Sequence, residues 1–202
     1  MRSFLARALG VLLVGGAVTT SAWALQAALL PPPERDDLSA LRAIAALERH
    51  RYVESSVREN GGAPVRARCV TGWFPARGEL LRLGRATSIL DLGHHGFAVD
   101  GPLRGDPVAS LLLAGCPRVL AREIERLLQD GASTSSARAW FGRPAVAVGI
   151  HEPRGPVITL YLTPRRSMLL GVGIHGGRVT GLGRVHPLAL TPARLQLVEG
   201  RR

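Results

Sequence analysis

The residue types that could do chemistry fall into a few groups. Asp91, His94 and His95, with Asp100 nearby, offer carboxylate and imidazole ligands that suit Zn²⁺ or a similar ion. Gly93 and Gly96 bracket the two histidines and no third histidine stands close, so a solvated turn is expected and no metal is assigned. Gly171, Gly173 and Gly176 have the G-x-G-x-x-G spacing of a dinucleotide turn. That chemistry needs a helix N-terminus after the glycines to hold the pyrophosphate. Here Gly177, Gly181 and Gly183 follow in a strand-like segment, so no cofactor is expected. A nucleophilic serine would need a base and oxyanion donors. No G-x-S-x-G is present; Ser55 and Ser56 read as strand residues and Ser133 to Ser136 as part of a polar loop, Asp130 to Ser136. The 15 acidic residues are scattered, and no pair suggests glycoside chemistry.

Cys69 and Cys116 are the two cysteines. In an oxidising compartment such a pair is most simply one disulfide. The alternatives are two free thiols, or a nucleophilic Cys116 with its pKa lowered by the helix that starts at Pro117. Arg118, Arg122 and Arg126 recur at i, i+4 and i+8. Such a stripe is usually a solvated face, and as a site it would take an anionic headgroup. No catalytic residue is assigned, and a non-enzymatic protein is expected.

The compartment follows from the N-terminus. Arg2 and Arg7 precede a stretch without charge from Ala8 to Leu30, and Ala22-Trp23-Ala24 is a small-x-small site. These are the parts of a secretory signal peptide. The same stretch exceeds the ~20 residues that span a bilayer, so an uncleaved anchor is the second reading. Both place the rest of the chain outside the cytoplasm. No cysteine lies near Ala24, so N-terminal lipidation is not expected.

The 202 residues carry a formal charge of +11, and all 26 basic residues are arginine. That usage, with much Ala, Gly and Pro, suits a GC-rich coding sequence and discounts part of the basic balance. A basic exterior favours anionic lipids or envelope polymers. Export and the low aromatic content (4%) disfavour nucleic acid.

The elements that must position these residues are short. Residues 31–37 form a Pro-rich linker, and residues 38–202 hold one domain. A helix carries Leu38, Leu41, Ile44 and Ala45 and ends near His50. Strands follow at Arg51–Arg58, Val65–Trp73, Leu80–Leu83, Ser88–Leu92 and Phe97–Val99, with Asn60-Gly61-Gly62 as a turn. After Val108–Leu113, Pro117 opens and Gly131 closes a second helix. Its apolar face is Leu120, Ile124, Leu127 and Leu128. Strands return at Ala137–Phe141, Ala145–Ile150, Val157–Leu162, Met168–Ile174 and Val179–Val185, and a short helix runs from Thr191 to Val198. This predicts an α+β fold: one curved antiparallel sheet of eight to ten strands, half-barrel-like, with an N-terminal helix and a crossing helix.

The order of elements resembles the LolA-like periplasmic lipoprotein carriers and the LprG-like lipoglycan carriers. The resemblance runs from Leu38 to Val185. It rests on Trp73-Phe74-Pro75, Leu81-Arg82-Leu83, Val99-Asp100-Gly101, the segment Ile158 to Pro164, and Leu169-Leu170-Gly171-Val172. The lipobox cysteine of the lipoglycan carriers is absent, and no binding residue of the family maps position by position. The resemblance implies a half-open barrel with helices over its concave face and an apolar cavity for acyl chains. The helix face Leu120, Ile124, Leu127 and Leu128 would then be a cavity lid, although amphipathic helices usually bury such a stripe in a filled core. The expected function is an exported lipid- or lipid-linked-ligand-binding protein of the cell envelope, monomeric, with the membrane met through residues 8–30 if they stay uncleaved. The alternatives are a surface-acting envelope interaction or sensor domain with a solid core, and an unrecognised exported hydrolase.

Overall fold

Short runs of alternating apolar and polar residues, cut by turns, produce ten strands that join one antiparallel sheet. The computed structural model describes residues 36–73, 78–93, 96–104, 108–130, 132–151, 155–176 and 178–200. The expected N-terminal segment, linker start, His94 and His95 lie outside these residues, as do Phe74 and Pro75. Among the described residues no helix is long and apolar enough to cross a membrane.

The strands are β1 (Arg51–Glu59), β2 (Val65–Trp73), β3 (Gly78–Leu83), β4 (Ala86–Gly93), β5 (Gly96–Asp100), β6 (Ala132–Trp140), β7 (Arg143–His151), β8 (Val157–Leu162), β9 (Leu169–His175) and β10 (Gly181–Ala189). Their spatial order is β5-β4-β3-β2-β1-β10-β9-β8-β7-β6. The sheet is thus two five-strand meanders joined at its centre by β1 and β10, in register from Arg51 opposite Ala189 to Glu59 opposite Gly181. The chain leaves one edge after β5 and re-enters at the opposite edge as β6. The link that crosses carries α2 (Val108–Leu113) and α3 (Pro117–Asp130). The N-terminal helix α1 (Asp36–Glu48) packs along α3. The architecture is the half-barrel α+β fold expected from the sequence.

The main core lies between the sheet and α1, α2 and α3. Ile44 and Leu47 from α1, Leu111 and Leu113 from α2, and Leu120 and Ile124 from α3 meet Leu81, Val148, Leu160 and Val172 of the sheet, all buried. The fourth helix, α4 (Pro192–Glu199), lies on the opposite face. Thr191 caps it, its Oγ1 accepting from the Arg194 amide at 3.3 Å. Val198 of α4 covers Tyr52, Val70 and Leu80, a second small core. Tyr52 donates to Glu54 Oε1 at 2.8 Å. Burial and that carboxylate push its hydroxyl up to about 12.

One expectation needs correction. Ser133, Thr134, Ser135 and Ser136 are not in a loop. They belong to β6, paired with Ile150, Gly149, Val148 and Ala147. β6 is an edge strand and its residues 134–139 are exposed, so it needs no apolar alternation and its polar composition mimics a loop.

Candidate ligand-binding groove

The crossing link is fixed firmly at the turn between its two helices. The turn between α2 and α3 is tied to the sheet by Ser55, whose hydroxyl donates to the Ala114 carbonyl at 2.7 Å. The disulfide between Cys69 of β2 and Cys116 joins the same turn to the sheet, with Cα atoms 5.5 Å apart. Immediately after it, Glu79 of β3 receives the first amides of α3: Arg118 N donates to Oε1 at 3.0 Å and Val119 N to Oε2 at 3.1 Å. Thr71 Oγ1 also donates to Glu79 Oε1 at 3.0 Å. A carboxylate here satisfies orphan N–H groups and faces the positive end of the helix. The sulfurs and a Glu79 oxygen lie within 4.8 Å of one another. Both sulfurs are bonded to each other, so they supply no thiolate to a metal.

Glu79 is fully buried, and burial raises its carboxyl from 4.5 to about 7, against the pull of the three donors. The folded state therefore keeps a proton that the unfolded state releases between these values. The stability this contributes is full below pH 4.5 and is lost as pH rises to about 7, at ~1.4 kcal/mol per unit. Glu79→Gln cannot ionise and should flatten this part of a denaturation-midpoint profile. An unchanged slope between pH 4.5 and 7 in that variant would assign the titration elsewhere.

Residues of both helices, on either side of that turn, line a pocket. Val108, Ala109 and Leu112 of α2, Glu123 and Leu127 of α3, and Pro156, Ile158 and Ile174 beside or on β8 and β9 line a half-open pocket of about 90 Å³. Its wall is apolar apart from Glu123, whose carboxylate pairs with Arg126 at 2.7 Å. The volume is below the ~150 Å³ of an apolar cavity that admits benzene. An acyl chain would therefore require α2 and the end of α3 to move outward.

Of the four residues expected on a lid, Leu127 lines this pocket. Leu120 and Ile124 are fully buried in the main core, and Leu128 is partly buried against it. The arginine stripe is tied into the protein: Arg118 Nε meets Glu48 Oε1 at 2.6 Å and Arg126 meets Glu123, while Arg122 is half-buried. Gly171 and Gly173 are in β9 and a turn at Gly176 leads to β10, so no helix N-terminus follows the glycines. The described histidines His50, His151, His175 and His186 are exposed. The buried Ser88 hydroxyl accepts the Leu103 amide at 2.9 Å. Asp91 and Asp100 are exposed.

Sequence reasoning passed over Glu79 and Thr71. The available signal was periodic: Glu79 shares the inward face of β3 with Leu81, and a carboxylate on an apolar face needs partners.

No family model matches the chain, and no curated protein matches it. Among solved structures it is similar to LprF from Mycobacterium bovis, at 14% identity and TM-score 0.46, over 79% of this chain and 96% of that one. It is similar to a chain of the Pseudomonas aeruginosa MucA/MucB complex, at 14% identity and TM-score 0.44, over 81% of this chain. It spans 61% of the length of that chain. It is also similar to the Mycobacterium tuberculosis lipoprotein LppX, at 10% identity and TM-score 0.44, over 75% and 93% of the two chains. These likenesses concern the fold and carry nothing about ligand or partner.

Proposed function

We propose that this protein is an exported, non-enzymatic binder of a lipid or lipid-linked ligand, acting in the cell envelope. The supporting observation is the apolar pocket between the two helices of the crossing link and β8 and β9. The disulfide, Ser55 and Glu79 hold residues 114–119, while Val108 at the start of α2 is 45% exposed. A lid fixed at the turn between its helices can open by a swing of the start of α2 and admit an apolar chain between α2, α3, β8 and β9. Buried Leu120 and Ile124 favour the second reading, a filled domain that works through its surface.

Native mass spectrometry of the protein from a periplasmic fraction separates them. A co-purifying mass that extracts as lipid is the expected result. Leu127→Trp fills the pocket and should remove that adduct while the fold persists by circular dichroism. A bare mass, unchanged after incubation with phospholipid vesicles, would sink the carrier reading and leave the surface-acting domain.

A further inference from the structure

The turn between β6 and β7 consists of Phe141 and Gly142, and both have positive φ, 47° and 76°. Asn or Gly is the ordinary first residue of such a turn; a bulky residue there is an outlier. Yet Phe141 is also the most exposed large apolar residue among those described, at 62%. Strained backbone and an exposed ring are two costs at one position, only partly offset by the ring's own contacts.

The ring rests on its neighbours and leaves most of its surface in solvent. Trp140 stacks on Tyr161 with centroids 4.0 Å apart and meets Phe141 edge-on at 4.9 Å. Trp140 lies so close to β9 that a Cβ on Gly171 would collide with its indole. The Arg184 guanidinium lies 5.0 Å from the Phe141 ring centroid. β6 and β8 both run antiparallel to β7, so the β8–β9 turn emerges at the same end of the sheet as Phe141. That turn brings exposed Arg165 and Met168, the latter 39% exposed. Arg143 adjoins Gly142. Between Ala132 and Gly200 the sequence has eight arginines and two glutamates, and neither glutamate is in these turns.

We propose that this end of the sheet docks on an anionic phospholipid bilayer, with Phe141 among the headgroups and Arg143 and Arg165 against the phosphates. An exposed apolar ring with Arg184 against it and exposed arginines in the neighbouring turns matches an interface that is apolar inside and anionic outside. A hydrated polyanion would reward the arginines and leave the phenyl ring without a partner. The surface is separate from the α2–α3 pocket and does not depend on the pocket's occupant.

Hydrogen–deuterium exchange of the full chain reads this end locally, whatever residues 8–30 do. Vesicles of phosphatidylcholine with phosphatidylglycerol should protect peptides spanning 138–144 and 163–169. Pure phosphatidylcholine should not protect them. Phe141→Asn suits the turn, so its melting temperature should hold or rise while protection is lost. Arg143→Gln with Arg165→Gln should also lose protection, and salt should weaken it in the wild type. Absent protection, equal protection by neutral vesicles, or full protection of Phe141→Asn would overturn the proposal. Protection by soluble dextran sulfate that Phe141→Asn retains would overturn it in favour of a polyanion site.

Discussion

Gly183→Ala should leave little or no folded protein. A Cβ at this position would lie well inside van der Waals contact with the Leu113 carbonyl oxygen and 2.8 Å from its carbon. The obstacle is backbone, so no side-chain rotation relieves it. α2 cannot simply step away, because Ser55 and the Cys69–Cys116 bridge hold the turn that follows it. Ordinary overpacking costs ~1–3 kcal/mol, and a backbone collision at a pinned helix should exceed that. Against a total stability of ~5–15 kcal/mol, such a loss unfolds a large share of the molecules. Gly149→Ala is the control: its Cβ would meet side-chain atoms of His151 and Thr134 at 3.4 Å, near ordinary contact. Thermal melts should show the first variant unfolded or far below wild type and the second close to it. A cooperative Gly183→Ala melt near the wild-type midpoint would show that α2 is not seated on β10.

Removing the disulfide should have the second-largest effect. Cys69 and Cys116 are 47 residues apart in sequence and fully buried. In the chain-entropy model, closing a loop of that length stabilises by ~4 kcal/mol. For a domain of this size that corresponds to a fall of about 8–16 °C in melting temperature. The double variant Cys69→Ala/Cys116→Ala measures it. The loss should concentrate at the start of α3, where Glu79 holds the amides of Arg118 and Val119. Two reactive thiols in the native, unreduced protein would refute the pairing.

Much of the fold was legible because its signals are local. Asn60-Gly61 between apolar runs marked the β1–β2 hairpin. Pro117 opened α3 and Thr191-Pro192 opened α4, while the expected closing Gly131 lies outside the described residues. Strand positions came from alternation, which is a property of neighbouring residues. Pairing across long separations was not legible: nothing local in Arg51–Glu59 specifies Gly181–Ala189 as its partner. β6 was half missed because an exposed edge strand relaxes the alternation that identifies strands. The face that α4 covers was also hidden, since its residues Leu195 and Val198 would suit either side of a sheet.

The site was less legible than the fold. The helix face Leu120–Leu128 was visible as a stripe, but a stripe does not say which members meet a cavity. Only depth along α3 separates Leu127, at the pocket, from Ile124, in the core. Glu79 was hidden because two of its three partners are backbone amides of a helix that begins 38 residues later, and amides leave no mark in residue types. Phe141 was hidden for a related reason: its meaning lies in φ, which composition does not report.

The central β1–β10 seam orders events in time. Each meander can form from hairpins between adjacent segments, which close quickly. The seam joins Arg51 to Ala189, so it must wait for nearly the whole chain. Until then the inner edges of both half-sheets expose unpaired N–H and C=O groups. Long-range strand pairing of this kind is slow, and the open edges invite pairing with other chains in the interval. A chain with this topology completes its fold after synthesis of β10, so a nascent molecule is an incomplete sheet rather than a smaller version of the finished one.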